Sequence, residues 1–512
     1  MTLTVESLEW AVQFVADHSD GDLFPRMAEI EAILGRKREF AEAIAGRPLS
    51  GFKPGAHRRF IVPKDDISYR QATQLDPQDS IILSAVVYQF GAGIEARRLP
   101  CDQVFSYRFE PSVQHGLYNR EHSWNGFWTA AAQEISVDGY ALYCDISDFY
   151  NQIYHHVVEN QLAAAGFPNQ AMKWLLALLG STTAGVSRGV PIGPHAIHLV
   201  AEATLIPIDN SMASSGLRFL RYADDIVVFC STEHGAKRAL QRLAQTMDKQ
   251  QRLTLQRHKT RIFNEQDFKA YCHKMIENRP ISEDEEEILQ IVERYSDGNP
   301  YRSVSYEEIS PNDWSSITDE VVSSIIEEYI GAGEIDFIRL RWFYRRLAQI
   351  GHPGAIDVTL ENIDVLTPCF ASICAYLASV QSIGGAQWRA IGEQLLELLA
   401  SDEVQDSEYF RLSILSLFSR NSEINHFRNL ASLYPNSDSF TKREILLAAR
   451  ANDAVDWLRE FKEDVEGMER WQRSAFLYCC RSFPLDERKH FMNRWTFERP
   501  FDAVLAAWVK AP

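Results

Sequence analysis

The chain has 512 residues and a formal net charge of −18; 46% of its residues are hydrophobic and 24% are charged. This length exceeds one compact core and predicts two or three domains, with a composition ordinary for a soluble globular protein. No run approaches the ~18 consecutive apolar residues of a membrane span. Residues 1–20 contain no Lys or Arg, unlike a secretory leader. We therefore expect a cytoplasmic protein.

Charge is distributed unevenly along the chain. Residues 1–278 contain 28 Lys and Arg against 31 Asp and Glu, whereas residues 279–512 contain 24 against 39. The acidic second part is unsuited to wrapping a phosphate backbone, while the first part has room for a local basic groove. We expect an N-terminal helical segment at 1–52, an α/β region at 53–278 and a helical region at 279–512. The eight cysteines show no CxxC spacing, which predicts reduced thiols.

A basic β-hairpin is predicted after the N-terminal helices. Arg58–Pro63 has the pattern of a strand, Lys64 begins a turn, and a returning strand runs from Tyr69 to Thr73. Lys64 and Arg70 on such a hairpin have the chemistry to bind a triphosphate. The alternative is a solvated basic hairpin without a ligand.

Three carboxylates are predicted at the ends of buried strands. The apolar run 140–144 predicts a strand with Asp145 at its carboxyl end. Apolar runs flank the Tyr-Ala-Asp-Asp motif at 222–225 and predict a strand–turn–strand with Asp224 and Asp225 at the tip. Adjacent carboxylates repel each other unless a cation binds them, and such oxygen ligands suit Mg²⁺ or Mn²⁺. Together, the three carboxylates predict a site for two divalent cations. The Asp-Asp dipeptide alone also fits an ordinary turn that has no catalytic role.

Two further segments carry weaker signals. The loop from Gly189 to Gly193 contains two glycines and a proline before a predicted helix, and glycine lets the backbone approach a ligand closely. Residues 237–274 contain ten Lys and Arg against three acidic residues. This basic window predicts a surface that faces phosphate groups.

In their order along the chain, these segments resemble the motifs of reverse transcriptases. That family has a basic fingers hairpin, a strand-end Asp with an aromatic five residues later, a Gly-x-Pro-x-Gly loop, a Tyr-x-Asp-Asp hairpin and a later Lys-Thr element. The matching positions here are Lys64, Arg70, Asp145, Tyr150, Gly189 to Gly193, Tyr222 to Asp225, and Leu253 to Thr260. The motifs cover about residues 55–265.

The resemblance implies a role for each of these residues. Asp145 and Asp224 are the expected principal metal ligands, with Asp225 and Ile146 beside them, and the expected cofactor is Mg²⁺, with Mn²⁺ as the alternative. Tyr150 is expected to reject a ribose 2′-OH, so the implied substrate is a dNTP. The expected nucleotide-binding residues are Lys64, Arg70, Tyr150, Gly189, Pro191, Ile192, Gly193 and Lys259.

Departures from the general family pattern indicate which subfamily the chain resembles. Ile192 stands where many templated reverse transcriptases have Gln, and Gln71 follows Arg70 where Pro is common. After residue 274 the chain passes into the acidic run 283–287 in place of a basic thumb. These features resemble bacterial abortive-infection (Abi-type) reverse transcriptases. Those proteins join a fingers–palm polymerase to a large helical region, act in anti-phage defence, and make untemplated DNA covalently attached to themselves.

From residue 280 onward the pattern is almost purely helical. Apolar residues recur at helical spacing, as in the series Ile317, Val321, Ile325 and Tyr329. Successive helices predict stacked hairpins of the HEAT-like kind, with an irregular bundle as the alternative. The predicted fold class is therefore α+β. It has a fingers–palm domain followed by an all-α HEAT-like repeat domain, without a conventional thumb.

Three functions follow as hypotheses. The first is a DNA polymerase that starts from a protein hydroxyl, needs no template and leaves single-stranded DNA attached to itself. Its priming residue is unassigned, and Tyr295, Tyr301 and Tyr306 are guesses. The second is a templated reverse transcriptase of the retron or group II intron kind, and the third is an inactive polymerase fold that serves as a binding scaffold. A homo-oligomer is expected because helical repeats offer large side surfaces; no membrane partner is expected.

Overall fold

The computed structural model describes residues 2–18, 23–65, 67–112, 116–276, 280–296, 302–380 and 382–512. Its elements form two compact units that interleave along the chain. Unit 1 comprises Met1–Asp22, Arg36–Arg59 and Ala72–Ile276, and unit 2 comprises Leu23–Gly35, Phe60–Gln71 and Glu277–Pro512. Two segments from the first 71 residues thus cluster with the C-terminal helices. The division at 52 and 278 stays a prediction.

Helices and two small hairpins make up the first 134 residues. In chain order the elements are α1 (Val5–His18), α2 (Glu29–Leu34), α3 (Lys37–Ile44), β1 (Arg58–Pro63), β2 (Tyr69–Gln74), α4 (Pro77–Phe90), α5 (Ala92–Glu95), β3 (Phe109–Ser112), β4 (Gly116–Tyr118) and α6 (Trp124–Glu134). The predicted hairpin strands are confirmed. Helix α4 begins where the Asp76 side chain accepts a hydrogen bond from the Gln78 amide (2.9 Å), with Pro77 at the first position.

The central sheet of unit 1 follows. Its elements are β5 (Tyr140–Asp145), α7 (Phe149–Gln152), α8 (His155–Ala164), α9 (Asn169–Thr182), α10 (Ile197–Ser214), β6 (Arg218–Tyr222), β7 (Asp225–Cys230), α11 (Glu233–Gln251), β8 (Arg261–Asn264) and α12 (Glu265–Met275). The four strands lie in the order β6-β7-β5-β8, and every neighbouring pair is antiparallel. This arrangement places the predicted strand β5 between the hairpin strand β7 and β8.

One face of this sheet packs on α6 and α12. The cluster between them contains Phe127 and Trp128 from α6, Tyr143 from β5, and Phe268 from α12, all buried. Aromatic side chains of this size bury a large apolar area each, so they fix the position of β5 against the helices. The core of unit 1 therefore holds the strand that ends at Asp145.

The segment after β5 forms two helices and not one continuous helix. The structure divides it into α7 and α8, with Ile153 in an extended conformation between them. The Ile153 carbonyl accepts a hydrogen bond from the Gly189 amide (2.7 Å). That contact is distant in sequence, so local helical periodicity could not reveal it.

Unit 2 is dominated by helices. They are α13 (Glu283–Ser296), α14 (Pro311–Ser316), α15 (Asp319–Gly331), α16 (Phe337–Ile350), α17 (Ile356–Glu361), α18 (Phe370–Ser379), α19 (Gly385–Leu399), α20 (Asp402–Gln405), α21 (Glu408–Arg420), α22 (Phe427–Leu433), α23 (Ser439–Ala451), α24 (Val455–Arg459), α25 (Arg470–Cys479), α26 (Leu485–Met492) and α27 (Pro500–Lys510). Helices α16, α18, α21, α23, α25 and α27 pack in series, each on the next. The predicted helical character of this part is confirmed.

Two earlier segments complete unit 2. Helix α2 packs against α25 and α27, and the buried Arg443 guanidinium donates to Glu29 of α2 (2.6 Å). In the hairpin, the Phe60 ring lies 6.3 Å from the ring of Tyr409, and Arg341 Nη2 donates to the carbonyl oxygen of Lys64 (2.8 Å). The tip of the predicted fingers hairpin is therefore fixed within the helical unit.

All eight cysteines are free thiols, as predicted. In the part of the chain that the structure describes, no helix is both long enough and apolar enough to cross a membrane.

Candidate active site

The three predicted carboxylates meet at one edge of the central sheet. Asp145, the last residue of β5, lies directly opposite Asp225, the first residue of β7. The carbonyl oxygen of Asp224 accepts a hydrogen bond from the Ile146 amide (3.0 Å). Ala223 adopts a φ of +50°, which closes the tight turn between β6 and β7. The register therefore brings together the four residues predicted as metal ligands.

Burial and like charge dominate the environment of Asp225. Its side chain is largely buried, and one oxygen accepts a hydrogen bond from the Tyr143 hydroxyl (2.5 Å). Burial, and then the charge of Asp224, raise the pKa of Asp225 to about 7. Asp145 adds to the same effect. This carboxylate therefore lies where a positive charge would stabilise its ionised form.

Lys259 approaches the carboxylates from the segment that follows α11. The Gln256 amide donates to the carbonyl oxygen of Asp145 (2.8 Å), and the Ser147 amide donates to that of Thr254 (2.8 Å). These bonds fix the segment against the end of β5. Lys259 Nζ then lies 2.5 Å from Asp145 Oδ2. Although burial lowers the pKa of Lys259, the bond to Asp145 leaves it raised overall.

The residue types at this sheet edge suit a hard divalent cation, although their side chains do not converge on one ion in this structure. Among the described residues, no three side chains of the His, Cys, Asp and Glu types converge as ligands of one ion. In this structure Asp145 is bonded to Lys259, and Asp225 to Tyr143. The fit rests on three adjacent carboxylates and on the raised pKa of Asp225, since oxygen ligands and excess negative charge suit Mg²⁺. Asp145, Asp224 and Asp225 are the residues that would hold it.

A buried ion network lies behind the turn. Arg221, the residue before the Tyr-Ala-Asp-Asp motif, bonds Asp209 through Nε (2.7 Å) and Nη2 (2.6 Å). It also bonds both oxygens of Glu202 (3.1 and 2.9 Å). Glu202 further accepts from Arg98 (2.8 Å) and from Ser106 (2.8 Å). Although burial raises the pKa of Glu202, Arg221 and Arg98 leave it lowered overall, whereas burial leaves the pKa of Asp209 raised.

The Gly189–Gly193 loop packs beside α7 and the base of the hairpin. Gly189 has a φ of +100° and Gly193 one of +135°, conformations that favour glycine. The Ile192 carbonyl accepts from the Thr73 amide (2.7 Å). His155 Nε2 is hydrogen-bonded to the carbonyl oxygen of Gly189 (2.8 Å). The predicted loop is therefore fixed from two sides.

Tyr150 lies between this loop and the carboxylates. Its carbonyl oxygen accepts from the Val190 amide (2.9 Å), and its hydroxyl is hydrogen-bonded to His198 Nδ1 (2.6 Å). Burial, and then the charge of Asp224, raise the pKa of Tyr150. The structure thus brings Tyr150 and Gly189 close to the turn that carries Asp224.

The remaining predicted residues lie in unit 2 or outside the described residues. Lys64 and Arg70 belong to the hairpin segment of unit 2. The Tyr295 hydroxyl donates to Asp313 (2.5 Å), and the half-exposed Tyr306 stacks on Trp314 with ring centroids 4.8 Å apart. Tyr301 lies outside the described residues.

Comparison with known proteins identifies the polymerase part of the chain. Residues 62–286 match the family described as reverse transcriptase (RNA-dependent DNA polymerase). The chain carries a reverse transcriptase domain. This domain makes it a nucleotidyltransferase, and the matched range contains all the predicted site residues from Lys64 to Lys259.

Other comparisons are more distant. No curated protein matches the chain. Among solved structures, the apo telomerase of Candida tropicalis is similar over 72% of this chain and 70% of its own, with 10% identity and a TM-score of 0.32.

Sequence reasoning missed several residues of this site. His155, the first residue of α8, bonds the glycine loop, and its position in the sequence gave no sign of that contact. Arg221 had a usable signal, because a charged residue inside an apolar strand requires buried partners. Those partners, Glu202 and Asp209, lie in α10, which is otherwise strongly apolar. A carboxylate inside such a helix likewise indicates a buried partner. His198 had no comparable signal.

Proposed function

We propose that the chain is a DNA polymerase of the abortive-infection type that joins dNTPs without a template and starts from a protein hydroxyl. The observation that carries the polymerase part is the pairing of Asp145 with Asp225 beside Asp224, inside a reverse transcriptase domain. Three acidic residues thus lie at one sheet edge, near the half-buried Tyr150 and a glycine loop. Such a site suits phosphoryl transfer from a nucleoside triphosphate.

Each residue has a proposed part in this reaction. Asp145, Asp224 and Asp225 hold Mg²⁺, with Mn²⁺ as the alternative, and Ile146 lies beside them. When bound, the metal lowers the pKa of the attacking hydroxyl and neutralises triphosphate charge. Tyr150 excludes the 2′-OH of a ribonucleotide by contact with the sugar. The proposed nucleotide-binding residues are Lys64, Arg70, Gly189, Pro191, Ile192, Gly193 and Lys259.

Untemplated synthesis is supported by the part of the chain after α12. There α13 opens with four acidic residues in its first turn, from Glu283 to Glu286. A helix of this charge repels the phosphate backbone of a primer–template duplex. The serial packing of α16 to α27 supports a HEAT-like repeat, whose side surfaces suit a homo-oligomer. Single-stranded DNA attached to the protein, a cytoplasmic location and a role in anti-phage defence complete the proposal.

A product assay tests this function. The purified chain is incubated with Mg²⁺ and labelled dNTPs, without primer or template, and the product is separated before and after protease digestion. Label that stays with the protein until digestion is the expected result. Asp224→Asn should abolish it, whereas Asp248→Asn, on the exposed face of α11, should not. Full activity of Asp224→Asn would contradict the assignment of the site.

A templated reverse transcriptase is the second candidate. It is favoured by the basic window 237–274, which contains ten Lys and Arg against three acidic residues. In the same assay it predicts no product until a primed RNA template is added. This outcome would support the proposed role of the carboxylates and contradict the proposal of protein priming.

A further inference from the structure

The Tyr150 side chain is fixed at its hydroxyl as well as at its backbone. The hydroxyl lies 2.6 Å from His198 Nδ1, in the first turn of α10. The backbone carbonyl is bonded to the Val190 amide. Tyr150 is therefore held at its backbone by the glycine loop and at its hydroxyl by α10. Its ring cannot rotate about the side-chain torsions without breaking the bond to His198.

His198 is itself supported by a second tyrosine. The Tyr107 ring stacks on the His198 ring with centroids 4.2 Å apart and an angle of 4° between the planes. Tyr107 thus supports the imidazole that is hydrogen-bonded to the Tyr150 hydroxyl.

The helix that carries His198 is anchored at the same place. The Tyr118 hydroxyl donates to the carbonyl oxygen of His195 (2.7 Å) and accepts from the Leu199 amide (3.2 Å). Tyr118 also makes an edge contact with Tyr107, with centroids 5.3 Å apart. Burial raises the pKa values of Tyr107 and Tyr118, so both phenols stay neutral hydrogen-bonding groups.

We propose that His198, supported by Tyr107, is a positioning residue for sugar selection, because it holds the Tyr150 ring at the position where a 2′-OH would lie. The inference rests on the proposed function, in which Tyr150 contacts the sugar of the incoming nucleotide. Exclusion of one hydroxyl by contact requires a ring fixed to within a fraction of an ångström. A tyrosine without the His198 bond can move aside and admit the ribose.

The test measures the ratio of kcat/KM for a dNTP to that for the matching rNTP, in the full-length protein. His198→Ala should lower this ratio on the order of tenfold, the effect of losing one buried hydrogen bond. His198→Asn keeps a polar atom near the Nδ1 position and should restore much of the ratio. Tyr150→Phe retains the ring but not the bond, so it should resemble His198→Ala.

A double variant separates positioning from general damage. If the two residues act through one bond, Tyr150→Phe combined with His198→Ala should lower the ratio no further than either change alone. His156→Ala, at an exposed position of α8, is the matched control and should leave the ratio unchanged. A folding defect alone would reduce dNTP and rNTP incorporation equally.

Two outcomes would overturn the inference in distinguishable ways. If the wild-type protein incorporates dNTPs and both His198 variants keep its ratio, the positioning role is wrong while the polymerase function stands. If the wild-type protein incorporates no nucleotide with or without a primed template, the proposed function fails, and the inference fails with it.

Discussion

Arg221 Nη1 donates a hydrogen bond to the carbonyl oxygen of Ala223 (2.8 Å), the residue that turns the chain between β6 and β7. The same guanidinium bonds Glu202 and Asp209, and the side chain is fully buried. The backbone of the turn between β6 and β7 is thus bonded to an ion network inside the protein. Ala223 has a positive φ, and the Arg221 bond helps to hold that conformation.

Arg221→Ala should lower both the stability and the activity of the protein. The change leaves Glu202 and Asp209 buried with one counter-charge fewer, which costs about 3–5 kcal/mol of unfolding free energy. Urea unfolding measures this loss, and dNTP incorporation under native conditions measures the effect on the turn. Arg218→Ala on the same strand removes only an exposed ion pair with Glu134, so it should cost less than about 1 kcal/mol. Equal effects of the two variants would contradict the role of the network.

Asp225→Asn should stabilise the metal-free protein at pH 8 while abolishing synthesis. In the folded chain Asp225 keeps its proton up to about pH 7, whereas the unfolded chain releases it near pH 4. The folded state therefore binds more protons between these values, and stability from this group is lost as pH rises through that window. Asn has no proton to lose, so the variant should exceed the wild type at pH 8 by up to about 4 kcal/mol.

Urea unfolding in EDTA at pH 5, 6.5 and 8 measures the pH effect of Asp225→Asn. The control is Asp248→Asn on α11, where the carboxylate is exposed and ion-paired with Arg252. If the difference in unfolding free energy between the wild type and Asp225→Asn stays constant over this pH window, the pKa of Asp225 is not raised in the folded protein.

Lys259→Ala should increase the affinity of the site for Mg²⁺. Lys259 Nζ bonds the Asp145 oxygen that a metal would use, and its positive charge opposes a second cation. Because the lysine side chain is 50% exposed, we expect a modest effect, a roughly fivefold lower dissociation constant. Calorimetric titration with Mg²⁺ measures it without reliance on catalysis. Arg257→Ala, two residues away and exposed, is the control, and equal affinities of the two variants would refute competition at Asp145.

Arg443→Ala should release α2 from the helical unit. Arg443 bonds both Glu29 of α2 and Glu444 of α23, and all three side chains are buried. Loss of the guanidinium leaves two buried carboxylates and costs about 3–5 kcal/mol. Hydrogen exchange should therefore accelerate in Glu29–Leu34. Arg428→Ala, at an exposed position of α22, should leave exchange there unchanged.

The sequence predicts the strands of the site well because their pattern is local. β5 and β7 are short apolar runs rich in β-branched and aromatic residues, and each carries its Asp at a strand end. The ends of paired strands coincide by register, so the meeting of Asp145 with Asp225 follows from two local predictions. The break between α7 and α8 and the bond from Tyr150 to His198 depend on contacts between distant segments, which periodicity does not encode.

The interleaving of the two units affects how the protein is made. Lys64 bonds Arg341, which follows it by 277 residues, so a ribosome working at ~5–20 residues per second delivers the partner about 15–55 s later. During that interval the hairpin tip lacks its packing partners and exposes apolar side chains such as Phe60. The hairpin therefore completes its packing only after α16 has been synthesised, and synthesis that stalls before that point leaves it unfinished.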